Sequence, residues 1–335
     1  MKNLSTSILL LVLTLAVSVS ASAQAIYRVS NNTPANVAQK IYSTFAAAQT
    51  AAANNDIIQI EPGTYSLDIT LTKPLVVVGT GYFLDQYTGT AALQANTTPA
   101  TVTNISFDAG STGASVSGIT ASQCYISASG ITVQRCRITN QLYVNFGATV
   151  ISNINIRQNY LVNITNYYGS GSTNLLITNN IITQTVSFDA SCSGEFRQNV
   201  LPPTPSYSAT LTNFNVTNNY FGYFYAGPTL ANCTVTYNAF YFASYPTAGN
   251  NINNVPGTST FVLAPGSAQF DAWYQLKTGT NPLRSSGENG ADMGVFAGNA
   301  PYKLGGLPTI PAIYQLSNSV SGGTLNVNLS TRSNN

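Results

Sequence analysis

Asn153-Ile154-Asn155-Ile156-Arg157-Gln158-Asn159-Tyr160-Leu161 is one spelling of a phrase that the chain repeats. It returns as Asn174-Leu175-Leu176-Ile177-Thr178-Asn179-Asn180-Ile181-Ile182 and as Asn213-Phe214-Asn215-Val216-Thr217-Asn218-Asn219-Tyr220-Phe221. A fourth copy is Asn232-Cys233-Thr234-Val235-Thr236-Tyr237-Asn238-Ala239-Phe240. Weaker copies run from Ile131 to Ile138, with Cys136 in the asparagine slot, and from Gly194 to Leu201, with Asn199. The slot holds residues 136, 159, 180, 199, 219 and 238, in steps of 23, 21, 19, 20 and 19. A unit of about twenty residues cannot bury its own apolar face, so repeats of this length stack into solenoids.

Counting back from the slot, the third residue is Val133, Ile156, Ile177, Phe196, Val216 or Val235. The fifth is Ile131, Ile154, Leu175, Gly194, Phe214 or Cys233, and the residues two and four back are mostly polar. That alternation is the period of a half-buried strand. Two residues beyond the slot stand Ile138, Leu161, Ile182, Leu201, Phe221 and Phe240, which predict a second inward-facing strand after a turn at the asparagine. A buried Asn at the same corner of every coil can donate its amide to the neighbouring coil, forming a ladder. The alternative is that Asn-Asn marks surface turns; the ladder is favoured because the apolar columns keep phase with it.

Near the start, Ser43 to Asn54 is alanine-rich, with Phe45, Ala48 and Ala52 at helical spacing and Ser43 as N-cap. A helix there would cover the open edge of the first coil. Next come Asp56–Ile60, a Glu61-Pro62-Gly63-Thr64-Tyr65 turn, and strands around Ser66–Leu71 and Leu75–Val78. This order, together with the asparagine corner and coil length, resembles the right-handed parallel β-helix proteins of the pectate lyase-like superfamily. The resemblance implies an all-β solenoid of about ten coils, about 48 Å long, with an N-terminal helical cap. It carries no activity by itself.

Met1 to Ala23 reads as a secretory signal: Lys2, an apolar run from Ile8 to Val17, then Ala21-Ser22-Ala23. That run is too short to span a bilayer. The β-helix is expected over 24–260, with a loop at Pro202, Pro203 and Pro205, and a distinct segment over 261–335. Within that segment, Phe270 to Leu276 suggests a short helix and Leu325-Val327-Leu329 a last strand. Gly294–Gly298 and Leu307–Tyr314 resemble the C-terminal segment of secreted bacterial β-helix proteins, which implies a bacterial source and a secreted or cell-surface location. The segment reads as a cap along or over the final coils; an export or docking signal is the alternative.

Charged residues make up 7% of the chain against about 25% in ordinary domains. Twelve scattered Lys and Arg and a net charge of +2 give no basic stripe, so nucleic acid is not an expected partner. Cys136 sits in the ladder slot and Cys233 on an apolar column several coils away, so buried thiols rather than disulfides are expected for them. Without histidine, Ser-His and Cys-His triads and the usual zinc sites are excluded. The aspartate and histidine set of the polygalacturonase-like members is missing too.

A uronate lyase of the kind this chain resembles needs a basic residue and a cation, usually calcium, so calcium enters only under that reading. The candidates are Arg157 and Arg197, on one outward column two coils apart, with Glu195 and Asp189 as carboxylates. The resemblance places lyase catalysis on a different sheet, where Thr185 and Ser187 are neutral. A tyrosine base is a further option. Tyrosine is also the better lead for binding: Tyr220, Tyr223, Tyr225, Tyr237, Tyr241 and Tyr245 crowd two successive coils. Facing out, such rings make an amphipathic strip for sugar C–H groups; the alternative is packing under the C-terminal cap. The leading reading is a secreted or cell-surface protein that interacts with a polysaccharide or surface glycan without a conventional catalytic site. A polysaccharide lyase acting on an acidic glycan and a structural or adhesive solenoid are the other two.

Overall fold

The computed structural model describes residues 24–88, 91–147, 149–167, 171–202, 208–222, 227–245, 247–262 and 270–334. The leader-like Met1 to Ala23 and the prolines Pro203 and Pro205 lie outside these. Among the described residues, the strands form an 11-stranded sheet, a 14-stranded sheet and one two-stranded hairpin. Phase decides this arrangement. Ile156 pairs in register with Val133 and Ile177, Ile177 with Phe196, and Phe196 with Val216, all in parallel. All five are fully buried, as are Ile138, Leu161, Ile182, Leu201, Phe221 and Phe240 on the strand after the corner. The molecule is a parallel β-solenoid.

Its turns number about eight, not ten. About half of the difference comes from one long coil. Val77 and Val116 are direct neighbours in the first sheet although their positions differ by 39. The extra residues carry Tyr82, Leu84, Tyr87 and Leu93, which pack outside the stack rather than adding a turn to it. The N-terminal helix is Phe45–Ala51, capped by Thr44 rather than Ser43, with the Thr44 hydroxyl accepting from the Ala47 N–H at 3.3 Å. Phe45 and Ala48 bury the helix's inner face against the first coil.

At the corner, each slot asparagine is buried and bonded three ways. Asn180 Nδ2 donates to Asn199 Oδ1 (3.1 Å) and to the Ile156 carbonyl (2.8 Å), while its backbone N–H donates to the same Asn199 Oδ1 (2.9 Å). The same pattern links Asn159 to Asn180, Asn199 to Asn219, Asn219 to Asn238 and Asn238 to Asn251. Cys136 closes the ladder at one end, its N–H donating to Asn159 Oδ1. The residue before each slot turns the chain in the left-handed region: Arg135, Gln158, Asn179, Gln198, Asn218 and Tyr237 all have φ between 52° and 60°. Such a conformation costs about 1–2 kcal/mol for most L-residues, which the buried ladder offsets.

The C-terminal segment does more than close the last coil. It runs back along the asparagine corner. The Glu288 N–H donates to Asn218 Oδ1 (2.8 Å), Asn179 Nδ2 to the Val295 and Ala297 carbonyls, Gln158 Nε2 to those of Ala300 and Pro301, and Arg135 to that of Leu307. Rising residue number in this strap meets falling coil number in the stack. Beneath it lies a row that sequence alternation leaves outside, Tyr160, Ile181, Val200, Tyr220 and Ala239, all buried against Tyr274, Leu283, Met293, Val295 and Tyr302. Asp271, fully buried in the 3₁₀ turn Asp271–Tyr274, accepts from Tyr87 (2.5 Å), Tyr302 (3.2 Å) and the Gly305 N–H (2.7 Å). The chain ends in an antiparallel hairpin, Ala312–Ser321 with Thr324–Arg332. Among the described residues, no helix is long and apolar enough to cross a membrane.

Candidate functional site

Two faces of the solenoid present side chains outward. On the first sheet, the register aligns Gln134, Arg157, Thr178, Arg197, Thr217 and Thr236 in one column. Arg157 and Arg197 thus share the column that their spacing predicts. Their contacts keep them occupied. Arg157 Nε donates to Gln134 Oε1 (2.9 Å), and Arg197 pairs with Glu288 of the strap at 2.7 Å and more loosely with Glu195 at 3.5 Å. These partners are partly exposed, and pairs of this kind contribute under about 1 kcal/mol each. Of these contacts, Arg197–Glu288 fastens the strap to the stack.

Asp189 lies on the other exposed face, just past the strand Val186–Phe188. Burial works to raise its pKa, but hydrogen bonds from Ser191 and Asn166 outweigh that and hold the carboxyl below its ordinary value. The four proposed catalytic residues therefore do not converge. Among the described residues, no three His, Cys, Asp or Glu side chains come together as a metal-binding group, so the donor set does not fit a carboxylate-rich calcium site.

Among the described residues, the tyrosines at the C-terminal coils do not share one exposed surface either. Tyr220 is fully buried, its hydroxyl donating to the Val255 carbonyl (3.0 Å) and its ring edge-on to Phe261 at 4.8 Å. The residue after each slot does point outward, but the strap covers that row. Tyr245 stacks on Phe240 at 3.8 Å, and burial pushes its hydroxyl up to about 12. Tyr241 stays 39% exposed. Tyr223 and Tyr225 lie outside the described residues.

A different ring cluster faces outward near the middle of the stack. Cys124, Ile126, Leu142 and Val144 point inward and are fully buried, so the alternating residues Gln123, Tyr125, Gln141 and Tyr143 point out. The parallel register sets Tyr125 directly beside Tyr143 and Gln123 beside Gln141. The two tyrosine rings stack at 5.4 Å with 13° between planes. Phe146 lies 4.5 Å from Tyr125 and 4.6 Å from Tyr167, and Tyr167 meets Tyr143 edge-on at 5.0 Å. Tyr167 is 48% exposed, and the other three rings are half-buried. Polar groups flank the platform: Tyr125 donates to Gln123, and Gln141 Nε2 donates to Thr165 Oγ1 (2.9 Å). Burial first, then Tyr143 and Asp68, raise the Tyr125 hydroxyl above its ordinary pKa.

Reading the sequence missed Tyr125 because the coil register before Gly130 carries no asparagine slot, and missed Tyr143, Phe146 and Tyr167 because they stand beyond the repeated phrase of their coils. Tyr125 and Tyr143 each immediately precede an inward aliphatic, Ile126 or Val144, and that offset was the available signal. Geometry alone defines the site, since no family model, no curated protein and no solved structure matches this chain.

Proposed function

We propose that this is an exported, carbohydrate-interacting β-helix protein, without a conventional catalytic site, whose binding surface is the Tyr125–Tyr143–Phe146–Tyr167 platform. The carrying observation is the stacked tyrosine pair on an outward parallel column, flanked by amides and hydroxyls. The exposed parts of these rings, on coils about 4.8 Å apart, offer an apolar area for the C–H groups of a sugar, and the neighbouring amides offer hydrogen bonds to its hydroxyls. The fold supports the same reading by holding Tyr125 and Tyr143 on strands, with Phe146 and Tyr167 just past strand ends, which limits the ordering cost of binding at the central pair. Export rests on the leader-like Met1 to Ala23. Lyase chemistry draws no support from Arg157 and Arg197, which lie on the first sheet, away from the rings.

Affinity electrophoresis of the mature protein through gels containing soluble polysaccharides tests this reading. Retardation by at least one polysaccharide is expected. Replacing both Tyr125 and Tyr143 by Ala should weaken it by about tenfold or more, with the circular dichroism of the fold unchanged. Retardation that survives the double substitution would remove the platform as the binding surface.

A further inference from the structure

From charge on the same face, we infer which class of glycan the platform takes: a neutral pyranose chain, not a polyuronate. This rests on the carbohydrate reading above and narrows it. The outward columns of this face can be followed coil by coil. One is Thr70, Ser106, Tyr125, Tyr143, Thr165, Ser187, Thr210 and Thr229; the other is Asn104, Gln123, Gln141 and Asn163. Every member is neutral.

The arginines of the middle coils are elsewhere. Arg157 and Arg197 stand on the first sheet, Arg135 is bonded to the strap, and Arg137 lies over the Phe83 ring. The charges that border the platform are negative. Asp68 accepts from Asn104 Nδ2 (3.0 Å) at one end, and Asp189 accepts from Asn166 Nδ2 (2.9 Å) at the other. Both carboxylates are exposed, and hydrogen bonds hold Asp189 ionised at neutral pH.

A polyuronate laid along this face would bring its carboxylates beside two fixed anions with no cation on the columns to neutralise them. Like charges so placed repel. A neutral chain meets only rings, amides and hydroxyls. Its binding should therefore be insensitive to salt, because no ion pair forms that added salt could screen.

Three neutral probes (hydroxyethylcellulose, xylan and galactomannan) and two acidic ones (polygalacturonate and alginate) are compared on the mature protein at low and high ionic strength. The expected result is binding of at least one neutral probe, unchanged by salt and lost in the Tyr125→Ala/Tyr143→Ala protein, with either polyuronate bound at least about threefold more weakly at low salt. The Asp68→Asn/Asp189→Asn protein should bind polyuronate more tightly than the unaltered protein does. Preferential polyuronate binding that the tyrosine substitutions abolish would overturn the neutral-glycan inference and leave the platform standing. Unchanged polyuronate binding in the Asp68→Asn/Asp189→Asn protein would overturn charge as its cause. Binding of no probe would overturn the carbohydrate reading itself, and binding indifferent to the tyrosines would overturn the platform as its surface and the inference with it.

Discussion

Asn199 carries the argument for the stack at the scale of one side chain. Its Oδ1 accepts both the backbone and side-chain amides of Asn180, and its own Nδ2 reaches the Ile177 carbonyl and Asn219. Asn199→Ala strands these groups in a dry corner, at about 1–3 kcal/mol for each polar group left unpaired. A loss of about 3 kcal/mol or more in urea unfolding is expected; a loss under about 1 kcal/mol would mean that the ladder adds little. Cys136 gives the converse. Its Sγ lies 3.8 Å from the Val116 carbonyl, the place where every other slot residue donates an amide. Cys136→Asn should extend the ladder by one coil and leave stability equal or raised by about 1 kcal/mol. These positions were legible from sequence because the asparagines and their apolar columns share one period. Tyr125 was not, because no asparagine slot marks its coil, and Tyr143 was not, because it stands beyond the repeated phrase of its own coil.

At the scale of elements, the strap is the feature least visible in the chain. Sequence alternation places Tyr160, Ile181, Val200 and Tyr220 outside the barrel of strands, yet all four are buried. An apolar residue recurring after the slot was the sign that something covers that row, and only coordinates show what does. The left-handed corner residues then supply the polar half of the contact. Asn179 gives two amide hydrogens to strap carbonyls. Asn179→Ala removes both and puts an unsuited residue at φ 55°. Hydrogen exchange should then quicken in 293–307 while the inner strands keep their protection. Uniform loss of protection would show that strap and stack unfold as one unit.

Asp271 makes the same element sensitive to pH. Burial raises its pKa above the ordinary carboxylate value, against the opposing bonds from Tyr87, Gly305 and Tyr302. The folded protein thus holds this proton more tightly than the unfolded chain. Its contribution to stability is full below the ordinary carboxylate pKa and is lost as pH rises through the raised one. Thermal melts from about pH 4 to neutrality should show this fall, and Asp271→Asn should flatten it. An unchanged slope in the variant would assign the pH dependence to other groups.

Over the whole molecule, about eight turns at about 4.8 Å make a stack near 38 Å long, with the asparagine corner covered by the strap. That cover explains why the predicted tyrosine strip fails where it meets the strap, at Tyr220, and why the exposed rings gather on another face. The solenoid class was readable from one repeated phrase. The proposed binding face was not, since it depends on which side the C-terminal chain covers. A crystal structure of the mature protein with a bound neutral oligosaccharide tests the account most directly. A pyranose ring packed against the Tyr125–Tyr143 pair is the predicted result; a sugar seated instead beside Tyr241 and Tyr245, with the platform bare, would contradict it.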